Sequence, residues 1–338
     1  MNFFSRSLAK TKFMGKNLLL YTALAICFSS CVVEMPILTW GMQIHHFVFL
    51  TNDSDKTESF LFFTDPHLLQ KKDYTAERLN TYMGTIKNYF EATPLDFVIC
   101  GGDWIGNGDT NEEALNKFGV VDSTMRALFH DKYYLVIGNH EYNYLSGPSE
   151  VKPPSEWLSH EQIRSALLKE REHTYYFFDG RNTRFYVLDT ETGIYTNMDA
   201  YRWAQIDWLA NDLIQTDSPF SAVVLHMCFS EYNTSPNNIL TQAAETFKLI
   251  KAYNAKSSIK MNGKAYDFSS TTGKIKFVLT GHLHKDLDTT IDNTPVISTT
   301  WFRDGDTPTF DLVYVDYDNN KIYLIRVGTG ENRVFDLS

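Results

Sequence analysis

The chain has 338 residues, 43% of them hydrophobic and 14% aromatic, a balance that suits a globular protein with a substantial core in one large domain or two modest ones. Its formal net charge of -10 argues against broad binding to nucleic-acid backbone, which requires a basic face. A small phosphate-bearing substrate stays compatible, because a bound metal can reverse the local sign of the field.

In chain order, residues 1–30 read as an export signal. Arg6, Lys10, Lys12 and Lys16 precede NLLLYTALAICFSSC, and no acid occurs before Glu34; a basic flank, a short apolar core and small residues are the marks of a secretion leader. The clean apolar run is shorter than the ~20 residues of a spanning helix, which favours cleavage. FSSC ending at Cys31 resembles a bacterial lipobox, in which the cysteine is lipidated and becomes the first residue, although Phe28 is unusual at its first position. Ordinary signal cleavage and an uncleaved anchor are the alternatives. The expectation is an exported protein of the cell envelope, periplasmic or attached to the membrane through a lipid on Cys31. Residues 31–57 read as a tether or edge segment. With Cys27 and Cys31 in the leader, only Cys100 and Cys228 remain in the body, too few for a disulfide framework. Buried free thiols are expected, with a Cys100–Cys228 bridge as the alternative.

From residue 58 to 338 the pattern is that of one folded domain. SFLFF (59–63), LDFVIC (95–100), YYLVI (133–137), FSAVVL (220–225) and KIKFVLT (274–280) are short apolar runs of buried strands. Residues 75–92, 111–129 and 199–215 have helical spacing, the second with acids in its first turn and the third with Asp199 placed as a cap. Residues 173–190 read as a hairpin about Asp179–Gly180, and 310–327 as an antiparallel hairpin turning at 318–320. Residues 143–172, with Pro148, Pro153 and Pro154, read as a surface insertion. Strands alternating with helices, then hairpins, predict an α/β sandwich with mixed sheets.

The chemistry sits at the strand ends. TDPHLL follows the first strand and brings Asp65 and His67. GGDWIG brings Asp103, GNHEY brings Asn139, His140 and Glu141, HMC brings His226, and GHLH brings His282 and His284. Ligands in α/β sheets gather outside the carboxyl ends of strands. Read as extended backbone, His282 and His284 point to one side and reach a common point, with Gly281 permitting close approach of the chain. Two imidazoles at one point suggest a metal. Neither a Gly-rich nucleotide loop nor a serine at a comparable strand-end turn is present to support a competing chemistry.

The ordered set D-x-H, G-D, G-N-H-E, H and G-H-x-H resembles the calcineurin-like metallophosphoesterases over roughly residues 59–338, with QIDWL (205–209) and RVGTGENR (326–333) as supporting text. The resemblance implies a four-layer α/β/β/α sandwich. It implies that Asp65, His67 and His284 hold one metal, that Asn139, His226 and His282 hold another, that Asp103 bridges both, and that His140 faces substrate without ligating. The sequence departs from the pattern in places. Gly106 stands where purple acid phosphatases place a tyrosinate, so a purple iron enzyme is not expected. Met227 and Cys228 replace a commoner proline-containing turn, and Glu141 replaces a commoner aspartate.

Two divalent ions about 3.5–4 Å apart can neutralise phosphoester oxygens and deliver a bridging hydroxide near neutral pH. The mixed N/O donors suit Mn, Fe or Zn better than Ca, and His140 can protonate the leaving oxygen. The implied function is hydrolysis of a small phosphoester, as a phosphodiesterase or phosphomonoesterase, with loops 143–172 and 228–238 choosing the substrate. A non-catalytic metal-binding scaffold is the alternative and predicts eroded motifs, His140 first. A 5'-nucleotidase needs a further C-terminal substrate domain, whereas 54 residues follow His284.

Overall fold

The apolar run Phe60–Phe63 forms the centre of the first sheet because both of its faces are covered: every residue of β1 (Thr57–Phe63) is buried, as strands covered on both sides require. The computed structural model describes residues 45, 47, 48, 56–67, 76–147, 150–190, 199–229, 241–303 and 308–337, all within one compact unit, 40–338. The export signal, Cys31, most of segment 31–57 and nearly all of loop 228–238 lie outside the described residues. Within 31–57, residues 45, 47 and 48 are helical, Phe47 is buried with its ring 6.5 Å from that of Tyr314, and Thr57 already belongs to β1.

The other elements follow in order: α1 (Ala76–Ala92), β2 (Phe97–Cys100), α2 (Asn111–Phe129), β3 (Tyr133–Leu135), β4 (Leu145–Gly147), β5 (Glu150–Val151), α3 (His160–Leu167), β6 (Tyr176–Asp179), β7 (Thr183–Leu188), α4 (Asp199–Gln215), β8 (Phe220–Leu225), α5 (Thr241–Asn254), β9 (Ser258–Met261), β10 (Lys264–Asp267), β11 (Lys274–Thr280), β12 (Leu287–Ile291), β13 (Thr294–Ser298), β14 (Phe310–Asp316), β15 (Lys321–Val327) and β16 (Arg333–Asp336). The first sheet has the order β16-β15-β14-β1-β2-β3 and the second β12-β13-β11-β8-β7-β6. β1, β2 and β3 run parallel, with Phe60 opposite Phe97 and Val98 opposite Tyr133. β7, β8, β11 and β13 do the same. Both sheets are therefore mixed, as the sequence pattern predicts.

The sheets meet through aromatic rings. Phe60 of β1 lies edge-on to Phe185 of β7 at 5.4 Å, and Phe97 of β2 meets Phe178 of β6 at 5.2 Å, geometries that such rings prefer. The helices α1 and α2 join the core on the first sheet through Met83, Ile86, Phe118 and Met125. The helices α4 and α5 cover the second through Leu209, Leu213, Phe247 and Ile250. The result is an α/β/β/α sandwich of four layers. A capping box fixes the start of α2: Thr110 N–H donates to Glu113 Oε2 at 2.7 Å and Glu113 N–H to Thr110 Oγ1 at 3.2 Å.

One buried acid ties the layers at the end away from the strand tips. Glu58 of β1 accepts the N–H groups of Arg181, Asn182 and Thr183 at 2.9, 2.8 and 3.1 Å, so a residue of one sheet holds the β6–β7 turn of the other. Gly180 is required there, since a Cβ would lie 2.6 Å from Glu58 Oε1. The expected insertion 143–172 carries its own structure, the hairpin β4–β5 and the helix α3. Cys100 and Cys228 are buried free thiols, as expected.

Candidate metal centre

Three of the five apolar strands, β1, β2 and β11, are followed by donors that turn the chain sharply. Asp65, His67, Asp103, His282 and His284 all have positive φ, at 52°, 41°, 62°, 70° and 54°, a left-handed conformation uncommon for non-glycine residues and concentrated at functional sites. This corrects the extended reading of GHLH. His282 and His284 do not share one side of a strand. They join two different groups of donors: Asp65, His67 and His284 form one, and Asp103, His226 and His282 another, with ligand atoms in each within 4.8 Å of one another.

The tips are sewn together by backbone. Asp65 N–H donates to the Gly102 carbonyl and His67 N–H to that of Asp103, both at 3.0 Å, while Gly281 N–H donates to the His226 carbonyl at 3.0 Å. Glu141 joins the β2 and β3 tips by accepting the N–H groups of Gly138, Asp103 and Trp104 at 2.7, 2.8 and 2.7 Å. Glycine is needed at this crowding: a Cβ on Gly138 would overlap Asp103 Oδ1 and lie 2.7 Å from Asp103 N.

Five of the candidate donors have one polar atom held by the protein and the other turned towards the centre. Asp65 Oδ2 accepts the Thr64 hydroxyl at 2.7 Å and His282 N–H at 3.0 Å, leaving Oδ1 3.2 Å from His284 Nε2 and 3.8 Å from His226 Nε2. Asp103 Oδ1 accepts His140 N–H at 2.9 Å, leaving Oδ2 3.0 Å from His226 Nε2 and 3.8 Å from His67 Nε2. His67 Nδ1 sits 3.0 Å from the Ile105 carbonyl and His226 Nδ1 2.6 Å from that of Gly101. Asn139 gives its amide N–H to the Tyr144 hydroxyl at 3.2 Å and presents Oδ1 to His282 Nδ1 at 3.0 Å. Outer hydrogen bonds that fix ring and carboxylate orientation are the usual support of metal ligands. The structure thus brings all seven candidate ligands together.

His140 lies at the edge. Its Nε2 is 3.8 Å from Asp103 Oδ2 and its ring 4.8 Å from that of His67. Its side chain is 16% exposed, against 0% and 1% for the two aspartates.

The electrostatics suit cations. Burial opposes the ionisation of Asp103, yet His226, His140 and His67 outweigh it and hold the carboxyl well below its usual range. Asp65 is likewise lowered, burial being overcome by His226 and His284. Burial, with a smaller push from like-charged neighbours, takes His67 and His282 down to about 4, so at neutral pH these rings keep the lone pair a metal requires. Burial and the Asp103 charge push Glu141 up to about 7.

Several supporting residues escaped the sequence reading. Tyr144 and Thr64 fix Asn139 and Asp65, as above. At the tip of β7, Asp189 accepts the Tyr142 hydroxyl at 2.6 Å, and Thr190 Oγ1 accepts Met227 N–H at 3.2 Å, steadying the turns that carry His140 and His226. LDT at the end of YVLDT was the available signal, a polar pair closing a buried strand like the others.

The family model described as calcineurin-like phosphoesterase matches residues 59–286, a span holding every strand tip named here. In fold the chain is similar to a dimetal phosphatase from Danio rerio, 12% identical with a TM-score of 0.57, over 83% of this chain and 99% of that one. It is also similar to purple acid phosphatase PPD1 from seeds of yellow lupin (Lupinus luteus), 14% identical with a TM-score of 0.54, over 83% of this chain and 54% of that one. No curated protein matches the sequence at a significant level.

Proposed function

This chain belongs to the calcineurin-like phosphoesterase family and is a phosphoester hydrolase, and we propose that Asp65, His67 and His284 hold one divalent ion, that Asn139, His226 and His282 hold a second, and that Asp103 is shared. The observation that carries the reading is the orientation of the donors: Asp65, Asp103, Asn139, His67 and His226 each spend one polar atom on the protein and aim the other inward. Such an N/O set suits Mn, Fe or Zn, and two such ions supply neutralisation of the phosphoryl oxygens and a water of lowered pKa.

The protein's own part is positioning and proton supply. Asp103, held through Oδ1, keeps Oδ2 at the junction of the two groups. Asn139 contributes a neutral oxygen, so the centre is not overloaded with negative charge when an anionic ester arrives. His140, more exposed than Asp65, Asp103 or His226, faces the leaving oxygen and gives it a proton. The intact donor set, His140 included, supports catalysis over a scaffold that only binds metal.

The test is hydrolysis of an aryl phosphate, an aryl phosphodiester and a nucleotide by purified protein across Mn, Fe and Zn. Chelation should abolish activity, an added transition ion should restore it, and elemental analysis should approach two metals per chain. Full activity in a metal-free sample overturns the reading, while the panel decides between monoesters and diesters.

The leader reading stands as a separate proposal: a lipid on Cys31 holds the protein at the membrane of the envelope. Cys31→Ala should then leave the protein soluble or unprocessed, whereas the native form partitions with membranes. A mature N-terminus that is a free residue other than Cys31 overturns it.

A further inference from the structure

Between β13 and β14 the chain reads TWFR, residues 300–303, a stretch that contributes no donor to the centre. Its contacts converge on one of the two donor groups. Thr300 gives its hydroxyl to the His284 carbonyl at 3.1 Å and its N–H to Asp286 Oδ1 at 3.0 Å. Trp301 lays its indole on the imidazole of His284, centroids 5.0 Å apart and planes 12° from parallel. Phe302 donates its N–H to the Thr64 carbonyl at 2.9 Å and packs its ring 4.9 Å from that of Phe63. Arg303 Nη1 donates to the His67 carbonyl at 3.0 Å, with its guanidinium carbon 5.6 Å from the centre of the Trp301 ring. Four consecutive residues thus grip the His284 turn on one side and the β1 tip, with Asp65 and His67, on the other.

His284 needs this grip for a specific reason. His67 and His226 each set their ring by a hydrogen bond from Nδ1 to a backbone carbonyl. Among the described residues no such bond reaches His284 Nδ1, and its side chain is 40% exposed. Its Nε2 lies 3.2 Å from Asp65 Oδ1 and 3.2 Å from His67 Nε2, on the side a metal would take, so among the described residues no hydrogen bond on the far side of the ring sets its χ2 torsion, which is broad in histidine. The flat face of Trp301 supplies the missing restraint.

We propose that residues 300–303 are a positioning clasp for the Asp65–His67–His284 metal subsite, with Trp301 orienting the His284 ring in place of a hydrogen bond. The inference rests on the two-metal reading above and adds that the two subsites are tuned separately. Loss of an outer partner of a metal ligand typically weakens metal binding about 10–100-fold. That loss should fall on one subsite only.

The experiment is calorimetric titration of metal-free, full-length protein with Mn²⁺ alone, followed by the Mn²⁺ spin-resonance signal. Wild type should take two ions and give the signal of a coupled pair. Trp301→Ala should weaken one site about 10–100-fold and leave the other unchanged, so that at intermediate Mn²⁺ the signal becomes that of a single ion. Trp301→Phe, which keeps a flat ring, should restore most of the lost affinity. If Trp301→Ala does not fold, Arg303→Met carries the same one-site expectation. Equal weakening of both sites, weakening of neither, or failure of Trp301→Phe to rescue overturns the clasp. Wild type that binds no Mn²⁺, Fe²⁺ or Zn²⁺ overturns the two-metal reading itself, and the clasp with it.

Discussion

Asp65 Oδ2 accepts the backbone N–H of His282 at 3.0 Å across 217 residues of chain. This bond joins the tip of β1 to the tip of β11, and so one sheet to the other, at the point where the donors gather. It also explains Gly281. A Cβ there would overlap Thr64 Oγ1 and come within 2.8 Å of Asp65 Oδ2. The glycine makes room for a carboxylate of the opposite sheet.

Gly281→Ala should therefore destabilise the protein by about 1–3 kcal/mol, the usual range for overpacking, and lower metal content. Its φ is not positive, so contact alone carries the cost. Adding Thr64→Ala removes the overlapping oxygen, and the double variant should lose less than the two single losses combined. Thermal melts of the four proteins measure this. Strict additivity would show that the clash lies elsewhere.

His140 and His282 should separate when substituted. General acid assistance is typically worth ~10²–10⁴ in rate and matters most for a basic leaving oxygen. His140→Ala should keep both metals, lose much of its activity on alkyl phosphoesters and lose less on nitrophenyl esters. His282→Ala should lose metal and damage both substrates alike. Equal losses for His140→Ala with metal intact exclude the proton-donor role, and loss of metal in that variant makes His140 a ligand.

A buried charge cluster behind the His284 turn gives a stability test. Asp311 of β14 accepts Arg326 Nε at 2.7 Å and Arg333 Nη2 at 3.1 Å, and Arg326 reaches on to Asp286, two residues past His284, at 2.8 Å. Burial would raise the Asp311 carboxyl, but the two guanidinium groups outweigh it and hold it below 3.8. Asp311→Asn removes the fully buried anion shared by both guanidinium groups, leaving Arg326 with Asp286 and Arg333 with Asp288, and should cost about 1.5–3 kcal/mol at pH 7, the range for hydrogen bonds to charged groups. A depressed carboxylate contributes stability above its unfolded pKa and loses it as pH falls through the folded one. The gap between wild type and variant, measured by denaturant unfolding, should therefore be full at pH 7 and shrink below about pH 3.8. A gap that stays constant into acid would mean that Asp311 charge is not what stabilises the native form.

The strand tips were legible because their signal is local. A buried strand is an apolar run, and a donor just after it stands out against Phe60–Phe63, Phe97–Cys100 or Phe220–Leu225 without any knowledge of neighbours. The helix Asn111–Phe129 was legible for the same reason, its capping box and amphipathic spacing lying within a few residues. The sequence did not disclose β9–β10, β12–β13 and α5: β9, β10 and β12 are more polar than the buried strands, and β13, though buried throughout, is short and interrupted by Pro295. Local reading put His282 and His284, separated by one residue, on one side of a strand, and only the family resemblance placed them with different metals. Their separation depends on left-handed turns at both residues, which are sterically costly in isolation and are held by the Asp65–His282 and Thr300–His284 hydrogen bonds. Asp189, Thr190 and Trp301 carry the same lesson. They are ordinary residues along the chain and gain their roles from partners that only the order β12-β13-β11-β8-β7-β6 beside β14-β1-β2-β3 brings within reach, whereas Arg326 meets Asp311 across the β14–β15 hairpin and needs the tertiary fold only for Asp286. Donor chemistry was written in short motifs; which donors share a centre, and what holds them there, was decided by sheet order and packing, because contacts across so many residues form only when the two sheets close on one another.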